Sequence, residues 1–136
     1  MQLERARDFM RVNHRAVLAT RRSDGLPQLS PVTVGVGGDG RVLISTRETA
    51  MKTKNLACDP HASLCVMNDG FFGDWIQAEG TAEIIGLPGA MDLLVDYYRR
   101  VSGEHPDWDD YRNAMRRDRR VIVAITLSRA GPDRSG

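Results

Sequence analysis

Leu3, Ala6, Phe9 and Met10 follow one another at three- and four-residue intervals, and this apolar stripe predicts a short helix at the start of the chain. Past it the period shortens. "RAVLATRR" predicts a strand, "SDG" a turn, "LPQLSPVTVGVG" a second extended run, "GDG" another turn and "RVLISTR" a third run, together an antiparallel meander. Val17-Leu18-Ala19 and Val42-Leu43-Ile44 are apolar at consecutive positions, so both faces of these strands need cover. A barrel interior plus an interface would supply it. Pro27 and Pro31 have no ladder donor, which puts the second run at an edge, a bulge or a break.

Further on, "ASLCVMND" and "DWIQAEGTAEIIG" predict two more strands, with Gly80 at a bulge or a close approach. Met91, Leu94, Val95 and Tyr98 lie at helical spacing in a segment that ends at Gly103, and "DWDDYRNAMRRD" predicts another helix starting near Asp107. Tyr97, Tyr98 and Trp108 read as core packing. "RVIVAITLSR" closes the pattern as a sixth strand, and the last residues have the composition of a frayed tail. The expected organisation is one domain over residues 1–128 and a tail over 129–136. Strands and helices do not alternate regularly, so the fold class is α+β and mainly β. A six-stranded antiparallel barrel with helices in its gaps fits better than a doubly wound sheet.

Composition narrows the function classes. The 136 residues, 41% hydrophobic and 27% charged, suit a single folded domain, and the formal net charge of +1 gives no broad field for nucleic acid. Arginine outnumbers lysine heavily, but acids beside most arginine pairs make these solvated faces and ion pairs. Cys58 and Cys65 read as reduced, small apolar residues. The N-terminal stretch does not resemble a signal peptide and no run of 18 apolar residues occurs, so the expectation is a cytoplasmic protein without a membrane partner. His14, His61 and His105 lack the spacing of zinc ligands, and no metal site is expected. No hydrolase, metalloprotease, Walker or Rossmann motif is present.

The chemistry concentrates in "STRETAMKTKNLACDP", residues 45–60. A strand ends near Ser45-Thr46, Thr49 is a candidate N-cap, and Met51 to Ala57 can form two helical turns before Asp59-Pro60 stops them. The first amides of such a helix have no internal partner and attract an anion, with Lys52 in the first turn.

Taken with "AVLATRRSDGLPQLSPV", "WIQAEGTAEI" and "YYRRVSGEHPDWDDYRNAM", this stretch resembles the pyridoxamine 5'-phosphate oxidase-like split-barrel superfamily. More narrowly, "KTKNL" with "GEHPDWDDYR" is similar to its branch of reductases that use the deazaflavin coenzyme F420. The resemblance implies a homodimeric, FMN-binding type of split barrel with two cofactor sites at the interface. It implies that Lys52 and Thr53 meet the cofactor phosphate, with Met51 in the same turn and Ser45, Thr46 and Arg47 beside them. Lys54 and Asn55 are second choices. Gln28, Ser30, Pro31 and Val32 would run along the ring, and Trp75 and Gln77 would approach from the opposite subunit or line the substrate side. Some relatives carry a basic residue where Ala50 stands, so one phosphate contact would be missing here or replaced by Arg47. The implied function is hydride transfer from reduced F420 to a quinone, enone or tetrapyrrole. The alternatives are an FMN-dependent oxidoreductase and a noncatalytic F420 carrier. No residue is marked as a catalytic acid or base.

Overall fold

The computed structural model describes residues 1–70 and 72–132. In chain order its elements are α1 (Leu3–Val12), β1 (Arg15–Arg21), β2 (Pro27–Thr33), β3 (Gly35–Val36), β4 (Val42–Arg47), α2 (Met51–Cys58), β5 (His61–Met67), β6 (Trp75–Ile85), α3 (Met91–Ser102), α4 (Trp108–Arg117) and β7 (Arg120–Gly131). The strands form one curled antiparallel sheet in the order β2-β1-β5-β6-β7-β4-β3.

This corrects the expected count from six strands to seven, and it breaks the meander. β2 pairs with β1, but β4 pairs with β7 and with the two-residue β3 instead of with β2. The physical reason lies in the second extended run. Pro27 and Pro31 cannot donate to a further strand, so β2 stays at the sheet edge. The chain then leaves it at Val34, whose N–H donates to the carbonyl of His14 at 2.8 Å, before re-entering the sheet as β3.

Two cores explain why β4 and β7 are apolar on both faces, whereas Val17 and Ala19 of β1 belong to neither. Val42 and Ile44 point into the curled sheet with Leu18, Leu64, Val66, Val123 and Ile125, a core closed by Ala6 and Met10 of α1. Leu43 faces the other way, with Ile122 and Ala124, and is covered by Leu94, Val95, Tyr97 and Tyr111 of α3 and α4. On β4 and β7 helices therefore take the place of the expected interface. Burying such side chains stabilises by about 1.5–3 kcal/mol each before the entropy cost.

Gly80 behaves as its sequence context suggested. The register of β6 against β7 shifts between Glu79 and Gly80, and a Cβ on Gly80 would stand 2.1 Å from the carbonyl oxygen of Thr126. No side chain fits there. Gly103, at φ +81°, ends α3, and Asp107 caps α4 by accepting from the N–H of Asp110 at 3.1 Å. Tyr98, Trp108 and Tyr111 pack edge to face around His105, which ties the two helices together. β7 runs on to Gly131, so residues 129–131 belong to a strand, whereas residues 133–136 of the expected tail lie outside the described residues. Among the described residues no helix is long and apolar enough to cross a membrane.

Candidate functional site

β4 hands over to α2 through a tight turn in which the Ala50 N–H donates to Arg47 O at 3.1 Å. Ala50, rather than Thr49, is the N-cap residue, and no side chain caps the helix. The expected hydroxyl is one turn further in. Thr53 Oγ1 donates to Arg47 O at 2.7 Å and fastens the helix to the end of the strand. The first turn of α2 contains no acid, so the positive end of its dipole is left without an internal counter-charge.

Lys52 extends from that end over a groove of about 530 Å³. Ser45 and Thr46 of β4 and Arg120 of β7 form the wall beside it, Tyr97 of α3 adds an aromatic edge, and Val17, Pro31, Val32 and Met67 make the apolar side. Arg15, paired with Asp69 at 3.4 Å, also lines it. The register explains the grouping: Thr46 pairs with Val121 and Arg47 with Arg120, which brings the start of β7 alongside the end of β4. On the other strands Pro31 pairs with Val17, and Val17 with Cys65.

Two polar atoms near this groove are buried without a hydrogen-bond partner among the described residues, Arg120 Nε and Ser30 Oγ. Native interiors pair almost every such atom. Arg120 lines the groove, and Ser30 immediately precedes Pro31 on β2. The Tyr97 hydroxyl, by contrast, donates to Thr33 O at 2.9 Å, and burial pushes its pKa above the usual tyrosine value.

Of the residues singled out by sequence, Ser45, Thr46, Lys52, Pro31 and Val32 come together in the groove. Thr53, Asn55 and Gln28 are engaged within the fold. Asn55 Nδ2 donates to Thr20 Oγ1 at 3.1 Å and to Gln28 Oε1 at 3.3 Å, a buried junction that holds α2 against the β1–β2 hairpin. Met51 and Lys54 border a separate depression beyond α2, with Arg21, Arg22 and Cys58. Arg47 is exposed at the end of β4. Trp75 and Gln77 lie on the outer face of β6 beside Glu79 and Arg129; neither lines the groove of their own chain, although Trp75 pairs with Met67, which does.

Arg15, Thr33, Met67, Tyr97 and Arg120 line the groove without having been singled out. Arg120 sits in an arginine pair that looks solvated in sequence, and Tyr97 does pack in the helical core while showing its edge to the groove. The available signal for Arg120 was its place immediately before the apolar run of β7.

The chemistry of this donor set is definite. Lys52, the bare helix end, Arg120 and two hydroxyl residues suit an anionic group such as a phosphate, and the apolar side suits a planar ring. Glu79, on the outer face, is held below the usual carboxylate range by its hydrogen bond to Arg129.

Comparison with known proteins agrees with the fold. The sequence model of the family described as pyridoxamine 5'-phosphate oxidase matches residues 3–131. The structure is similar to a conserved hypothetical protein from Mycobacterium tuberculosis at 28% identity and TM-score 0.77, covering 96% of this chain and 82% of that one. It is also similar to an F420 reductase at 20% identity and TM-score 0.68, covering 91% and 94% of the two chains. A heme-binding protein from Mycobacterium smegmatis matches at 21% identity and TM-score 0.70, and here 94% of this chain spans 52% of the other.

Proposed function

Because the chain belongs to the pyridoxamine 5'-phosphate oxidase family, matched over residues 3–131, we propose that it is an oxidoreductase whose groove holds coenzyme F420. The observation that carries this reading is Lys52 at an uncapped helix end in the same groove as Arg120, whose buried Nε has no partner among the described residues. Lys52, Arg120, Ser45 and Thr46 would hold the phosphate, and Val17, Pro31, Val32 and Met67 would bed the ring. The likeness to an F420 reductase and the additional cations at Arg15, Arg47 and Lys54 favour F420, whose tail is acidic, over FMN.

When bound, the reduced deazaflavin supplies a hydride to an unsaturated small molecule. The protein fixes the ring, excludes water from one side of it and leaves the other open for the acceptor. No group in the groove is assigned as proton donor, since the Tyr97 hydroxyl is engaged with Thr33 O.

A second copy of the chain would complete the site. The outer face of β2, β1, β5 and β6 carries Leu29 at 63% exposure and Trp75 at 40%, with Val17, Cys65 and Met67 half-buried between them. Covering this row favours a homodimer, and it would bring the partner's Trp75 and Gln77 toward the groove.

The test is a binding titration of F420, FMN and heme against the purified protein. F420 is expected to bind at least tenfold tighter than FMN. Tighter binding of FMN or heme, or no binding of F420, would overturn the assignment.

A further inference from the structure

We propose that a second cavity, distinct from the cofactor groove, binds a small amphipathic carboxylic acid, with an apolar body of roughly eight carbons and one carboxylate. The cavity measures about 550 Å³ and lies between the turn that joins β6 to α3 and the turn that joins α4 to β7. Such a volume falls within the usual range for small-molecule sites.

Its lining residues differ in kind. Leu87, Pro88 and Met91 are apolar, while Arg116, Arg119 and Arg120 line it together with Glu48, the one acidic residue among the described lining residues. The balance is two positive charges in excess. Arg116 donates to the neutral Asn113 Oδ1 at 3.0 Å rather than to an acid.

The backbone that carries Arg119 is fixed. Arg119 adopts φ +51°, a left-handed conformation that a non-glycine residue rarely takes, and its carbonyl accepts from the Glu48 N–H at 3.0 Å. This contact between two loops holds the turn in place, while the side chains of Arg116 and Arg119 are exposed. Planar guanidinium forks match a carboxylate, and a bare phosphate would leave the apolar wall facing water.

Arg120 lines both this cavity and the cofactor groove, so Arg119 is the better residue to alter. Glycine accepts the positive φ at that position, and Arg119→Gly therefore removes a guanidinium without straining the turn. Methionines give a built-in readout: Met91 lines this cavity, Met67 the groove and Met51 the depression beyond α2.

The experiment titrates methyl-13C-methionine protein with octanoate, 1-octanol, octylamine and inorganic phosphate, following the methyl resonances by NMR. Octanoate is expected to shift Met91 saturably while Met67 and Met51 stay still, and to bind about tenfold tighter than 1-octanol or octylamine. Arg119→Gly is expected to weaken octanoate about tenfold with unchanged thermal unfolding. Equal binding of 1-octanol, an equal response to phosphate, no octanoate shift at Met91, or an Arg119→Gly protein that folds and still binds normally would each overturn the proposal. So would a Met91 shift on simple dilution, which would put a second copy in the cavity. The titration contains no coenzyme, so its failure leaves the cofactor assignment standing, and failure of F420 to bind leaves this one.

Discussion

Neighbouring side chains of α2 stand in different situations. Asn55, 6% exposed, is bonded to Thr20 and Gln28 of the β1–β2 hairpin, and Thr53, 5% exposed, is bonded to Arg47 O at the end of β4. Lys52 instead leaves the first turn for the groove that Arg120 also lines, and among the described residues Arg120 Nε is buried without a partner. Amides and hydroxyls fasten the helix, and the amine is what it presents. A polar residue in a binding stretch can therefore be scaffold or ligand contact, and its partners within the chain distinguish the two.

The largest expected effect is on the scaffold residues. Asn55→Ala removes both donated hydrogen bonds from a buried junction and leaves Thr20 and Gln28 only their mutual contact at 3.4 Å, at a cost of about 2–3 kcal/mol. The midpoint of thermal unfolding should fall by roughly 5–10 °C. Affinity for F420, measured well below that midpoint, should change only modestly. If the variant kept its stability but lost the coenzyme, Asn55 would belong with the ligand contacts and the contrast between it and Lys52 would fail.

Lys52→Ala should do the reverse. Losing a charge-assisted hydrogen bond of about 1.5–3 kcal/mol corresponds to roughly ten- to hundredfold weaker F420 binding. Thermal unfolding of the free protein should not move. Isothermal titration beside differential scanning calorimetry reads both quantities, and unchanged affinity would remove Lys52 from the site.

Tyr97 tests the contrast on the opposite wall, because it lines the groove and yet donates its hydroxyl to Thr33 O. Tyr97→Phe should cost about 1 kcal/mol of stability and leave coenzyme affinity nearly unchanged. Tyrosine titration adds an alkaline signature. Burial raises the folded pKa of Tyr97, and that of Tyr111 to about 12, whereas unfolded tyrosine ionises near 10. The fold holds the protonated hydroxyls, so their contribution is complete below pH 10 and is lost as pH rises toward 12. Stability measured by denaturant between these values should decline less steeply in the Tyr97→Phe, Tyr111→Phe double variant.

Much of this arrangement was legible along the chain. The 3.6-residue stripes of α1 and α3, the edge, bulge or break implied by Pro27 and Pro31, the bulge or close approach at Gly80 and the strand-to-helix turn before Lys52 follow from local rules of backbone and burial. Pairing between distant segments does not. Nothing near Arg120 in sequence shows that it lies beside Arg47, since that register is set when β7 closes against β4. The two-residue β3 was hidden for the same reason: Gly35 and Val36 become a strand only because β4 lies opposite. Asn55 looked like a ligand contact because its partners, Thr20 and Gln28, are 35 and 27 residues away.

The smallest effect sharpens the comparison most finely, because the chain has only two lysines and both are on α2. Lys54 is exposed and borders the depression beyond the helix, where Arg21 and Arg22 also stand. Water screens an exposed charge, so Lys54→Ala should weaken F420 by no more than about threefold at physiological salt. Near 10 mM salt, where the screening length grows to roughly 30 Å, the effect should rise, because the acidic tail of the coenzyme then feels this cation from further off. Reductive 13C-methylation gives each lysine a single NMR signal, so one titration of wild type reports both. The Lys52 signal should move with F420 at any salt, and the Lys54 signal mainly at low salt. Equal responses at high salt would place the phosphate between the two amines and move the site around the end of α2.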